Sequence, residues 1–168
     1  MTPLPGALGG KELSAWRLHW HEFTHAWDSG MGAELYGGRW NVKGQRSVYC
    51  SIDPATAILE VAAHKGFKVL DTVPHVLTSA IVTDTDSVHV VYPDVVPNPG
   101  WLQPGIPSFG QQQFGSRLLA QHGIVLFPST VSTFSWNLVF EPDIAKGRYS
   151  LKAQERFVMD TRLHPPSV

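Results

Sequence analysis

Charge is what this sequence has least of. Asp, Glu, Lys and Arg make up 16% of its 168 residues, against about 25% in an average soluble domain. The 13 basic and 14 acidic side chains leave a formal net charge of -1, which removes any overall electrostatic case for nucleic acid or an anionic membrane as partner. Cysteine is nearly missing as well: Cys50 stands alone, so neither an internal disulfide nor a thiolate metal cage can form. Residues 1–10 have neither a basic start nor an apolar run. No secretory signal is expected, and a reducing cytoplasm is the simplest compartment. Two stretches, 95–116 and 118–140, lack all four charged residue types. Neither reads as a membrane span. The first is broken by Pro97, Pro99, Pro104 and Pro107, and the second carries Gln121, His122, Pro128 and a Ser/Thr cluster. They read as loop and buried core.

What is present fits one domain. A chain of this length buries roughly 70% of its unfolded surface, and no repeat or linker divides it. The expected layout is a loose Pro/Gly-containing N-terminus over 1–14, a folded domain over 15–160 and a tail over 161–168. A first strand is expected over 15–18, then a glycine-broken loop through Gly30, Gly32, Gly37 and Gly38, then a strand over 47–51. Asp53-Pro54 is a helix start, with an N-cap oxygen followed by proline at the first helical position, and Gly66 is the stop. Strands are expected over 75–83, 87–92, 124–127, 136–140 and 156–159, with a helix over 109–122 ended by Gly123. Helices and strands mix without regular alternation, which predicts an α+β fold with a largely antiparallel or mixed sheet.

Four groups of residues could carry chemistry. His21-Glu22-Phe23-Thr24-His25 matches H-E-x-x-H, which on a helix stacks two zinc-binding histidines one turn apart with a glutamate as general base. The segment is short, soon broken by glycines and lacks an evident third ligand, so the expected reading is a His-rich loop. The zinc peptidase remains the losing alternative. Tyr36-Gly37-Gly38-Arg39-Trp40-Asn41 holds an arginine, suited to phosphate or carboxylate, on a glycine-paired turn. An ordinary turn with a surface arginine fits as well. On the 54–65 helix, Ala55, Ile58, Val61 and Ala62 share one face, and Thr56, Glu60 and His64 the other. Glu60 and His64 could form a solvated pair one turn apart, or Glu60 could overlook a cleft. Ser129 leaves an apolar strand after Pro128, with Asn137 eight residues on, as a ligand donor or a strand-end cap. No G-x-S-x-G elbow surrounds it.

Together these pieces resemble the RES domain family. The resemblance rests on Gly37-Gly38-Arg39-Trp40-Asn41 with Gly44, on Val48-Tyr49-x-Ser51, and on Ala57-Ile58-Leu59-Glu60-Val61. It continues at Gly123-Ile124, Pro128-Ser129, Asn137-Leu138 and Pro142, with Trp16-Arg17-Leu18 similar to the family's opening strand. Residues 130–136 depart from the family's pattern. The resemblance implies a compact fold similar to the NAD-binding core of ADP-ribosyltransferase toxins. It further implies a toxin of RES–Xre toxin–antitoxin pairs that cleaves NAD+, depletes it and arrests growth. The family arginine maps to Arg39 and its glutamate to Glu60, with Tyr49 the pocket tyrosine. The family serine maps to Ser129 by preference, or to Ser51. Trp40, Asn137 and Arg17 complete the expected substrate contacts.

On that reading Glu60 stabilises an oxocarbenium-like centre at the ribose, as carboxylates do in glycoside hydrolysis. Arg39 holds the pyrophosphate or an attacking phosphate ion. No cofactor is implied beyond NAD+ as substrate, with inorganic phosphate as a conceivable co-substrate. No metal is needed, because nicotinamide leaves as a neutral ring. Water, phosphate and a macromolecule remain open as nucleophile, so ADP-ribosyl transfer stays an alternative, as does a catalytically dead binding module. The implied protein partner is an Xre-like antitoxin, to which any DNA binding would belong.

Overall fold

The computed structural model describes residues 12–163. The expected termini fall partly outside this range, at 1–11 and 164–168. Seven strands form one mixed sheet with helices, as expected of an α+β fold: β1 (Leu13–Trp20), β2 (Val48–Ser51), β3 (His75–Val82), β4 (His89–Val90), β5 (Ile124–Pro128), β6 (Trp136–Phe140) and β7 (Tyr149–Phe157). Their order across the sheet is β4-β5-β6-β2-β1-β3-β7. Every neighbouring pair is antiparallel except β4 and β5. The helices are α1 (Met31–Tyr36), α2 (Pro54–Lys65), α3 (Phe67–Thr72) and α4 (Phe109–His122). No helix among the described residues is long and apolar enough to cross a membrane.

Strand register shows which residues share a face. Pairing of Trp16 with Ser51, Ser51 with Asn137 and Phe127 with Asn137 puts these four on one side of the sheet. On the same side, α4 covers Val125, Phe127 and Val139, while α2 and α3 cover Leu18 and Leu77. Leu13, Ala15, Val48, Cys50, Ile124, Leu126 and Leu138 form the core of the opposite side. The central strands β5 and β6 are buried on both faces, hence their near-continuous apolar sequences.

The start of α2 is as expected. The Asp53 carboxylate accepts a 2.8 Å hydrogen bond from the Thr56 amide, and Gly66 ends the helix with φ of 78°. The cap changes one expectation about its faces. Asp53 also accepts from the Thr56 hydroxyl at 2.8 Å, so Thr56 is buried and Ala55 is exposed, the reverse of the simple periodic assignment.

Other elements differ in extent. β1 runs to Trp20 because all eight of its residues pair with β3. A helix, α1, stands where a loop was expected, since Gly30 and Gly37 (φ 69° and 74°) bracket it rather than interrupt it. Gly66 separates α2 from a further helix, α3. The last strand spans 149–157 instead of 156–159. It is a mostly exposed edge strand, so no alternating apolar pattern announces it.

Candidate functional site

The charge-poor strands converge on one carboxylate. Glu60 lies at the end of the second turn of α2, over the face of the sheet that carries Ser51 and Asn137. Its Oε1 accepts two hydrogen bonds, from the Ser129 hydroxyl at 2.8 Å and from Asn137 Nδ2 at 2.7 Å. Asn137 Oδ1 in turn accepts from the Ser51 hydroxyl at 3.0 Å. Ser129 Oγ is itself fixed by the backbone N–H groups of Val131 and Ser132 at 3.2 and 2.9 Å. Both candidate serines therefore belong to one chain, Ser129 directly and Ser51 through Asn137. Ser51, Ser129 and Asn137 are buried and Glu60 is half-buried. Among the described residues only Oε1 of Glu60 receives hydrogen bonds, which leaves Oε2 without a donor there. Glu60 is thus turned to the sheet, while His64 is exposed.

The cation is mounted differently. Arg39 emerges from the Gly37-Gly38 turn, and its guanidinium donates only to backbone carbonyls. Nη1 reaches Trp101 O at 3.2 Å and Gln103 O at 3.4 Å, and Nη2 reaches Gly105 O at 2.9 Å. Burial lowers the Arg39 pKa from its ordinary value, and the charge of Glu60 partly offsets this. The two side chains thus feel one another without closing an ion pair. A half-buried anion and a half-buried cation that couple without closing on each other are the charges that a dipolar or charged ligand needs.

Two expected contacts sit elsewhere, and a third reaches the site's face with its hydroxyl already engaged. The Trp40 indole is 0% exposed and stacks on Phe127 with ring centroids 4.4 Å apart and planes 6° from parallel. Its place is the core, and no ring face remains for a ligand. The substitution space around it says the same: a Cβ at Gly115 of α4 would run into the Trp40 backbone. Arg17 shares its sheet face with Leu13 and Ala15, opposite to Ser51 and Asn137, because side chains alternate along a strand. Its Nη1 donates to the Tyr49 carbonyl at 2.8 Å, and burial lowers its pKa against the opposing pull of Cys50 and Asp28. Tyr49 does lie on the site's face, two residues before Ser51. Its hydroxyl is already engaged, donating to Asn41 Oδ1 at 2.7 Å and accepting from the Trp40 amide at 2.9 Å. Burial raises its pKa.

The H-E-x-x-H segment forms a 3-10 helix over His21–Ala26, with non-helical backbone at Phe23. At three residues per turn, positions four apart are about 120° out of line, so His21 and His25 do not stack as the zinc motif requires. Both are exposed. Residues to which sequence reasoning gave no role are Asn41, named only as part of the glycine-rich motif, Gln112 and the carbonyls of Trp101, Gln103 and Gly105. Gln112 Nε2 donates to Gly38 O at 2.8 Å. A side-chain signal existed for Asn41 alone, inside the glycine-rich turn. Every residue offers a carbonyl, so the Arg39 acceptors left no trace in residue type.

Comparison with known proteins gives the family and the fold. The family model described as RES domain matches residues 14–160. A protein named Toxin Res from Photorhabdus laumondii subsp. laumondii is 32% identical over 143 residues, covering 82% of this chain and 88% of the relative. The fold is similar to that in the crystal structure of the M. tuberculosis MbcT-MbcA toxin-antitoxin complex. That likeness has a TM-score of 0.69 and 21% identity, covering 87% of this chain and 84% of the other.

Proposed function

This chain belongs to the RES domain family, and from that premise we propose that it is the toxin of a toxin–antitoxin pair, an enzyme that cleaves NAD+ at the nicotinamide–ribose bond. The observation that carries the reading is the mounting of Glu60. Ser129 and Asn137 hold one carboxylate oxygen and leave the other without a donor among the described residues, on a side chain whose charge Arg39 feels.

Breaking the C1′–N bond sends its electron pair to the pyridinium ring, which leaves as neutral nicotinamide. Positive charge then develops on the ribose. A fixed carboxylate stabilises such a centre without reorganising at the moment of reaction. Glu60 Oε2 is the oxygen for that role, through the charge itself or a ribose hydroxyl. Arg39 keeps donors beyond those given to the carbonyls and supplies the cation for the pyrophosphate, or for a phosphate ion that attacks C1′. Water at C1′ gives ADP-ribose after loss of a proton, and phosphate gives ADP-ribose 1-phosphate. Ser51 supports Asn137 from beneath. The partner is an Xre-like antitoxin whose binding closes off the enzyme's activity.

The test is incubation of the purified protein with NAD+, with and without phosphate, and chromatographic separation of products. Release of nicotinamide, with a second product that names the nucleophile, is the expected outcome. A protein acceptor carrying ADP-ribose would move the activity to group transfer. No nicotinamide under any condition refutes the enzyme reading.

A further inference from the structure

Arg39 can serve a ligand only if its long, flexible side chain starts from a fixed point, because an arginine carries about 2 kcal/mol of rotamer entropy. The structure fixes that point from both sides. The Gly38 amide donates to Asn41 O at 3.0 Å, and Gln112 from α4 grips the Gly38 carbonyl. One residue beyond Arg39, the Trp40 amide donates to the Tyr49 hydroxyl at 2.9 Å. That hydroxyl spends its one proton on Asn41 Oδ1.

Asn41 is the hub of this clamp. It is 0% exposed, and its Nδ2 lies 2.9, 3.0 and 3.1 Å from the carbonyls of Ala33, Val42 and Gln45. Those carbonyls belong to α1 and to the turn after the Arg39 loop, so one amide ties the loop's two ends. The fit leaves no slack at Gly38, where a Cβ would meet Asn41 Oδ1 at 2.6 Å and collide with the Tyr49 hydroxyl.

We propose that Tyr49 and Asn41 are positioning residues for Arg39, joined by their mutual hydrogen bond, and that Tyr49 acts on the substrate through that arginine rather than by donating to it. The hydroxyl has no second proton to give, and reaching a ligand would require releasing Asn41. The inference rests on the NAD+ reading for its substrate, while the clamp itself is testable without one.

Tyr49→Phe keeps the ring and removes only the hydroxyl. Two measurements read its effect. In the ligand-free protein, the Arg39 Nε–Hε NMR signal reports order at the guanidinium, and its order parameter is expected to fall in Tyr49→Phe. Affinity for NAD+ is then measured by calorimetry with Glu60→Gln present throughout to stop turnover. Tyr49→Phe is expected to weaken binding roughly tenfold when Arg39 is intact and less than twofold when Arg39→Lys is already present, because contacts in one network are not additive. Equal losses in the two backgrounds would show Tyr49 acting on its own and overturn the proposal. An unchanged Arg39 signal in Tyr49→Phe overturns it as well. A folded Asn41→Ala protein with a wild-type Arg39 signal removes Asn41 from the clamp. Absence of NAD+ binding with Arg39 and Tyr49 intact counts against the function proposed above, and the NMR arm still decides the clamp.

Discussion

Glu60 and Arg39 carry opposite charges and are held in opposite ways. The carboxylate is gripped by side chains, Ser129 and Asn137, that project from the ends of buried strands. The guanidinium is gripped by three backbone carbonyls in the proline-rich 99–105 stretch. A side-chain mount depends on residue identity and fails when one residue changes. A carbonyl mount depends on the path of the chain and tolerates most substitutions that leave that path alone. The anion, carried on α2, is thus tied to side chains at the ends of sheet strands, and the cation leans on a loop.

The sharpest way to separate the two halves is to remove the charge and keep the mount. Glu60→Gln preserves an oxygen for Ser129 and Asn137, so the fold is expected to survive with a similar circular dichroism spectrum. Nicotinamide release is expected to fall on the order of a thousandfold, as when a preorganised electrostatic contact to a transition state is lost. Retention of activity within tenfold would strip the anionic half of its role. Next in size is Asn137→Ala, which takes one donor from Glu60 Oε1 and the acceptor from Ser51. A loss of roughly 30-fold in kcat is expected, within the range for misplaced catalytic groups. An unchanged kcat would mean that Ser129 alone holds the carboxylate.

The same contrast explains what could be read from the sequence. Glu60 was legible because Asp53-Pro54 announces its helix, and Ser129 and Asn137 because side-chain chemistry marks them against an apolar run. Ser51 and Ser129 both sit at family-like positions, with Ser129 preferred, and in the structure both belong to one hydrogen-bonded chain, Ser129 directly on Glu60 and Ser51 through Asn137. Trp40 misled because its neighbour Arg39 reaches out of the same turn while the indole itself goes under α4. Arg17 misled because a motif fixes a residue's place along a strand, and its face follows only once the register is known. Helices of six residues such as α1 and α3 are too short to show a 3.6-residue period. The carbonyl acceptors of Arg39 left no residue-type signal at all.

A change that bends the loop path tests the cationic half. Gly105 has φ of 143° and open space around its α-carbon, so Gly105→Ala introduces backbone strain without a clash. The carbonyl that accepts from Arg39 Nη2 then shifts, while those of Trp101 and Gln103 remain. A loss of roughly fivefold in kcat/KM is expected, on the scale of one hydrogen bond, carried mainly by KM because Arg39 binds rather than reacts. A loss as large as that of Asn137→Ala would erase the distinction between the two mounts.

The smallest effect lies under the anion mount, at the start of α2. Ser135 donates to Asp53 Oδ2 at 2.6 Å, so this one carboxylate caps the helix that carries Glu60 and ties down the loop that follows Ser129. Burial pushes the Asp53 carboxyl up, but the donors Ser135 and Thr56 outweigh it and hold the pKa below its ordinary value. A carboxyl depressed in the folded state stabilises that state above the unfolded pKa of about 3.9, and the contribution is lost as pH falls through the folded value. Asp53→Ala is therefore expected to cost about 1 kcal/mol at pH 7, a drop in Tm of roughly 3 °C for a chain of this size. Thermal unfolding of wild type and variant from pH 7 down to pH 3 reads the sign directly. The gap should narrow below about pH 4, as wild type loses its charged cap. A gap that stays constant would show that Asp53 holds the helix by shape alone, leaving Glu60 standing on packing rather than on charge.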